Sequence, residues 1–211
     1  IGIADKESRE RQIATAIQIL SCCNPPWAQA DTKKVGLVVG KVQSGKTTSF
    51  TTLSAAASDN GYRLIIHLLG TNNTLLESNL EDVEHILGLN ERNTNWMPRR
   101  VSPKKQGGIN ISAKQLESIL KSNPLSRRNT TEKIVYISLL KQKDHIQALT
   151  KLLKAAKLQN YPELLTLIID DEVDSYTIDI SKPKETDSSI NRHLKRLLDV
   201  AGTATYVGYT A

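Results

Sequence analysis

The sequence has little cysteine and no long apolar run. Its two cysteines, Cys22 and Cys23, are adjacent, which is a poor arrangement for a stabilising disulfide and favours a reducing cytoplasm. No apolar stretch approaches the roughly 20 residues that cross a bilayer, and the first residues, IGIADKESRERQ, are charged where a secretory signal would be apolar. We therefore expect a cytoplasmic protein without a membrane contact.

What the sequence does contain is an alternation of apolar strands with amphipathic helices over 211 residues. Strands are predicted at 35–39, 62–69, 134–140, 164–170 and 205–207, and helices at 5–20, 46–58, 74–87, 112–122, 143–157 and 188–200. Strands that are apolar on both faces are typical of a mainly parallel sheet covered by helices on both sides. We expect an α/β fold with three layers in a single domain, 1–211, with 1–30 as a helical lead-in.

The stretch GLVVGKVQSGKTTSF carries a phosphate-loop pattern, G-x-x-x-x-G-K-[ST]. Glycines let successive backbone N–H groups point at phosphate oxygens, and the following helix N-terminus favours an anion. Lys46 would reach the outer phosphates, and the hydroxyl of Thr47 would ligate Mg²⁺. A glycine turn with an exposed lysine is the alternative. The predicted nucleotide-binding residues are Gly40, Lys41, Val42, Gln43, Ser44, Gly45, Lys46, Thr47 and Thr48.

A second pattern, LLTLIIDDEVD, places carboxylates directly after an apolar strand. Ligands of open α/β sheets bind at this carboxyl edge. Asp171 is interpreted as the group that holds Mg²⁺ and Glu172 as the base that polarises the attacking water, with Asp170 as a competitor for the metal role. An acidic helix N-terminus is the alternative. A glutamate directly after the metal carboxylate favours hydrolysis over transfer to a small acceptor.

The net charge of +6 is unevenly distributed. Residues 97–157 contain 14 Lys/Arg against 3 Asp/Glu, which indicates either a polyanion contact or a solvated basic surface. Residues 90–110 are predicted to form a polar loop, and its basic side chains are the best candidates to follow a nucleic-acid backbone: Arg99, Arg100, Lys104 and Lys105. The lysines of helix 143–157 are predicted to form a solvated face.

Together these motifs resemble a known family. Gly45-Lys46-Thr47, Asp171-Glu172-Val173-Asp174 and the terminal Tyr209-Thr210-Ala211 resemble motifs of superfamily-two DExD/H helicases. GLVVGKVQSGKT, LIIDDEVD and YVGYTA resemble, more narrowly, the Z-one domain family. Its members are described as endonucleases with a helicase-like ATPase core, in bacterial restriction and phage-defence systems. The resemblance implies a RecA-like P-loop NTPase fold and the first lobe of a helicase. The second lobe, which supplies the arginine finger, is not in this sequence.

The resemblance also implies roles for single residues. It implies ATP and Mg²⁺ as cofactors, an adenine-reading glutamine for which Gln12 is the candidate, and coupling between ATP and nucleic acid through Thr210. Thr71 and Asn72 fall where the family contacts nucleic acid, although the usual Pro-Thr form is missing and a plain helix N-cap is the alternative. The sequence shows no separate nuclease constellation, and its four histidines are scattered.

We therefore expect the ATP-binding and hydrolysing lobe of a DNA helicase or translocase, poorly active in isolation. Its partners would be DNA, a second helicase lobe and a nuclease or other defence protein. The alternatives are a phosphate-loop regulatory switch that acts on a protein partner, and a nucleotide-binding scaffold without turnover.

Overall fold

The structure is a computed structural model that describes residues 6–40, 45–70, 73–91, 95–102, 108–121, 133–161, 163–173 and 189–210. Strands and helices alternate as the sequence predicts. The strands are β1 (Lys33–Val39), β2 (Tyr62–Leu68), β3 (Trp96–Ser102), β4 (Gly108–Ile109), β5 (Ile134–Leu139), β6 (Leu165–Asp170) and β7 (Thr203–Thr210). The helices are α1 (Lys6–Ser21), α2 (Lys46–Asp59), α3 (Asn73–Ile86), α4 (Ala113–Leu120), α5 (Lys143–Ala155) and α6 (Ser189–Val200).

The strands form one sheet in the order β1-β7-β6-β2-β5-β3-β4. Six of them are parallel, and the two-residue β4 pairs with β3 in the antiparallel direction. The predicted α/β class and the mainly parallel sheet are therefore confirmed. β7 comes last in the chain but lies between β1 and β6, so it separates the two strands that carry the phosphate-loop and acidic motifs.

Helices cover both faces of this sheet, which explains why the central strands have apolar side chains on both faces. Alternate side chains point to opposite faces of a strand. In β2, Leu64 and Ile66 belong to the core cluster that includes residues of α4, α5 and α6, whereas Ile65 belongs to the cluster with α1, α2 and α3. Among the described helices, none combines the length and apolar composition that a bilayer span requires.

β1 departs from the expectation of a buried strand. Val35, Leu37 and Val39 are 67%, 50% and 70% exposed. The reason is position, because β1 is outermost in the sheet and, within the described residues, pairs with β7 alone. Of the apolar side chains predicted on one face of α1, Ile13 and Ile17 are also exposed, and the fully buried residue of that helix is Ala16.

The predicted loop at 90–110 is wrong over its middle part. Trp96–Ser102 forms β3, which runs parallel to β5 and pairs Arg99 with Ile137 and Arg100 with Ser138. Pro98 and the two arginines hide the strand in the sequence, since strand formation here depends on pairing with β5 and on the burial of Val101. Arg99 and Arg100 therefore lie in a strand and not in a flexible loop, and Lys104 and Lys105 lie outside the described residues.

Candidate functional site

Gly45, directly before α2, has the backbone conformation that a glycine at this position predicts. Gly45 adopts a φ of +74°, and α2 begins at Lys46 directly after it. A Cβ on Gly45 would meet no atom within 4 Å, so the glycine is needed for its left-handed conformation and not for space. Gly40 donates its N–H to the carbonyl of Thr210 at 3.0 Å, which joins the start of the turn to the end of β7. Lys41, Val42, Gln43 and Ser44 lie outside the described residues.

The carboxyl ends of β1, β7 and β6 meet at one edge of the sheet. Val39 pairs with Thr210, and Asp170 pairs with Gly208. Adjacent strands are about 4.8 Å apart, so the ends of β1 and β6 are separated by the width of one intervening strand. This arrangement brings the N-terminus of α2 and the acidic residues after β6 to the same edge.

Asp171 lies at this edge as a buried carboxylate. Its N–H donates to the carbonyl of Leu68 at 3.1 Å, and its Oδ2 accepts a hydrogen bond from Asn79 Nδ2 at 3.4 Å. Its other oxygen, Oδ1, is buried and has no hydrogen-bond partner in the described part of the chain. Burial raises the pKa of this carboxyl, and the positive charge of Lys46 is the main influence that lowers it again. The charge of Lys46, far from Asp171 in sequence, therefore acts on this carboxyl.

The carboxylate of the adjacent Asp170 is bound by two buried side chains of the core. One of its oxygens forms an ion pair with Lys141 Nζ at 2.9 Å, with both side chains fully buried, and the other accepts a hydrogen bond from the hydroxyl of Tyr206. The ion pair and the hydrogen bond leave Asp170 less free than Asp171 to bind a metal ion, although its Oδ1, like that of Asp171, makes no hydrogen bond of regular geometry to the residues that the structure describes. Of the two aspartates that the sequence left in competition, Asp171 is therefore the better candidate for the metal role.

Glu172 follows with an unusual backbone. Its φ of +60° lies in the left-handed region, which costs a non-glycine residue about 1–2 kcal/mol. Its carbonyl accepts a hydrogen bond from Lys141 Nζ at 2.8 Å. The side chain of the next residue, Val173, packs closely against Gly208. A Cβ added to Gly208 would lie 2.4 Å from Val173 Cγ2. The backbone on both sides of Glu172 is thus held in place.

A cleft of about 440 Å³ opens beside the β1–α2 turn. Gln12 and Arg11 of α1 line it together with Gly45, Lys46, Ser49 and Tyr209. The candidate adenine-reading residue therefore shares one cleft with the described residues of the predicted phosphate loop. Thr47 and Thr48 are half-buried at the start of α2.

Other candidates lie elsewhere. Arg99 and Arg100 are three strands away from β6, and Arg100 pairs with Glu84 at 3.1 Å. Thr71 and Asn72 lie outside the described residues. Within the described ranges, no group of three or more His, Cys, Asp and Glu residues could hold a metal ion. His67 is fully buried, so its role is structural.

Sequence reasoning missed Asn79 and Lys141. Asn79 lies on α3 among other polar residues of the helix. Lys141 follows an apolar strand and is one of the many lysines in the basic region 97–157. Neither position carries a signal in a single sequence, because both act through contacts with the distant residues 170–172.

Neither a scan of protein-family models nor a search of curated proteins found a match to this chain.

Proposed function

We propose that this chain is the ATP-binding and hydrolysing lobe of a DNA helicase or translocase, with a RecA-like arrangement of its parallel sheet. The observation that carries the proposal is the strand register, which brings the end of β1, the start of α2 with Lys46 and the buried Asp171 after β6 to one edge of the sheet. A cation at a helix N-terminus and a buried carboxylate oxygen without a hydrogen-bond partner among the described residues are the two groups that a metal-bound triphosphate requires.

The phosphates bind at the start of α2. The N–H groups of a first helical turn have no partner within their own helix and carry a partial positive charge. Gly45 keeps the approach to this turn free of a side chain, and the half-buried Lys46 adds a full charge to the outer phosphates. Gln12 lines the same cleft and reads the base.

Mg²⁺ would be held by the carboxylate of Asp171 and the hydroxyl of Thr47. The buried, unpartnered Oδ1 of Asp171 fits this role, since hard cations prefer oxygen ligands. When bound, the ion supplies positive charge to the phosphate oxygens. Glu172 orients the attacking water and accepts its proton at the side-chain carboxylate.

In this proposal the chain acts on DNA. This part of the proposal rests on the helicase-like motifs and on the basic residues in the middle of the chain, 97–157. β3, which carries Arg99 and Arg100, lies towards the other end of the strand order from β1. A nucleic acid bound there would not compete with ATP. Bacterial restriction or phage defence is the proposed setting, with a second helicase lobe and a nuclease as partners.

The experiment compares Lys46→Ala, Glu172→Gln and the matched surface variant Lys151→Ala in the full chain. Loss of Lys46 removes a charge-assisted contact of about 1.5–3 kcal/mol, so ATP should bind about 10- to 100-fold more weakly. Glu172→Gln should spare binding and lower turnover by a factor of about 10²–10⁴. Lys151, an exposed lysine of α5, should change neither.

Binding is measured by titration with ATP and Mg²⁺, and turnover is measured with and without single- and double-stranded DNA. Stimulation by DNA supports a motor. A rate indifferent to DNA would instead support the regulatory switch that acts on a protein partner. Wild-type ATP affinity in Lys46→Ala would overturn the nucleotide site itself.

A further inference from the structure

Lys141 is a fully buried lysine at the end of β5, directly behind the acidic motif. Its Nζ lies 2.9 Å from Asp170 Oδ1 and donates to the carbonyl of Glu172 at 2.8 Å. One ammonium group therefore contacts the residue before Asp171 and the residue after it. It reaches the two sides of the candidate metal ligand without touching either ligand oxygen.

The backbone of Lys141 is fixed as well. Its N–H donates to the carbonyl of Gly70 at 3.0 Å, and the neighbouring Leu139 carbonyl accepts from the N–H of Leu69. The lysine thus starts from a rigid point at the ends of β2 and β5. Its side chain crosses to the end of β6, where Tyr206 secures the other oxygen of Asp170.

We propose that Lys141 is a positioning residue that holds the peptide of Glu172 in its left-handed conformation, and thereby sets the carboxylate of Glu172 for hydrolysis. The inference rests on the proposed function. A non-glycine residue keeps such a conformation only where its surroundings impose it. Here Lys141 Nζ donates to the carbonyl of Glu172, and the N–H of Asp171 donates to the carbonyl of Leu68. The side chain of Val173 packs against Gly208.

A purely structural role would not require this geometry. Buried ion pairs are often replaceable by uncharged groups of similar size without loss of stability. If Lys141 only neutralised Asp170, removing both charges together would leave the protein intact and active. The second bond, to the Glu172 carbonyl, is the one that no such replacement restores.

The test is therefore the double variant Lys141→Met with Asp170→Asn. The amide that replaces the Asp170 carboxylate still offers an oxygen to the Tyr206 hydroxyl, and no buried charge is left without its partner, so the fold should survive. Lys141→Met alone leaves Asp170 charged and without its ion-pair partner, and is included to show the stability cost. Leu153→Ala, in the same core cluster on α5, is the matched control for a general loss of stability.

We expect the double variant to bind ATP within about twofold of wild type while kcat falls by about 100-fold, because a misplaced catalytic group is that costly. Amide hydrogen exchange should accelerate at residues 171–173 and stay slow in β6. Leu153→Ala should change neither kcat nor exchange at 171–173.

A double variant with wild-type kcat, or with unchanged exchange at 171–173, would overturn the positioning role while leaving the ATPase assignment in place. A wild-type chain that neither binds nor hydrolyses ATP would overturn the proposed function and this inference together.

Discussion

His67 is the most deeply buried titratable ring described in this protein. Its Nδ1 contacts the Tyr136 hydroxyl at 3.1 Å, and its Nε2 contacts Ser54 Oγ at 2.8 Å. Ser54 donates its own proton to the Phe50 carbonyl, so a neutral ring protonated on Nε2 satisfies every group. Burial lowers the pKa of His67 from 6.5 to about 3. The ring is therefore a core residue that must stay uncharged.

This pKa predicts a pH dependence of stability. Between about pH 3 and pH 6.5 the unfolded chain binds a proton at His67 that the folded chain refuses, so stability falls as the pH drops through that window. At pH 5 the loss relative to pH 8 should be about 2 kcal/mol from this residue alone. Urea unfolding of wild type and His67→Gln at both pH values measures it.

The exposed His85 on α3 provides the control for this experiment. His85→Gln makes the same chemical change at an exposed position and should leave the pH profile as in the wild type. His67→Gln should have a flatter profile even if it is less stable at every pH. Parallel profiles for wild type and His67→Gln would show that His67 does not contribute to the acid sensitivity.

At the scale of elements, the contact between β7 and the segment after β6 depends on the absence of one methyl group. Gly208 has no side chain where Val173 packs, and a Cβ there would lie 2.4 Å from Val173 Cγ2. Gly208→Ala should therefore displace Val173, lower the free energy of unfolding by about 1–3 kcal/mol and reduce ATP turnover. Urea unfolding and a turnover assay measure the two effects.

The matched variant is Gly208→Ala combined with Val173→Ala. Removing the two Val173 methyl groups makes room for the new Cβ, so the double variant should be more stable than the sum of the two single changes predicts. Strict additivity would mean that the two side chains do not meet, and would contradict the close approach.

The elements that sequence predicts well here are those with a strong local pattern. The helix predicted at 112–122 is one of them, and Ser112 and Gln115 form a capping box at the start of α4. The exposed lysines of α5 confirm the solvated face predicted for that helix. β3 was missed because Pro98, Arg99 and Arg100 give no strand pattern, and its existence depends on pairing with β5.

The same reasoning explains what could be predicted of the candidate site. Gly45 follows from its spacing, since a helix start after a tight turn requires a φ that glycine adopts easily. For the metal role the sequence favours Asp171 and keeps Asp170 as a competitor. The contacts that separate the two aspartates involve Lys141 and Tyr206, which are distant in the chain and become neighbours only through the strand order.

At the scale of the whole molecule, the sheet divides into two regions. β1, β7 and β6 carry the candidate nucleotide site, while β3 and β4 lie at the opposite end beyond β2 and β5. In the sheet, β2 and β5 lie between these two regions. Lys141, at the end of β5, joins them, because its backbone N–H binds the carbonyl of Gly70 after β2 and its side chain binds Asp170 and Glu172 at the end of β6.

The outermost position of β1 also has a consequence for how the protein behaves in the test tube. An exposed strand edge beside apolar side chains invites edge-to-edge pairing between molecules, and Val35 and Leu37 are at least half exposed. We expect light scattering to rise as the protein is concentrated, and Val35→Lys with Leu37→Lys to suppress the rise. Gln29→Lys with Ala30→Lys adds the same charge at exposed positions away from the strand and should have little effect. If both double variants suppress the scattering equally, the effect is due to the added charge. If only Val35→Lys with Leu37→Lys suppresses it, β1 is the place to engineer for solubility and storage.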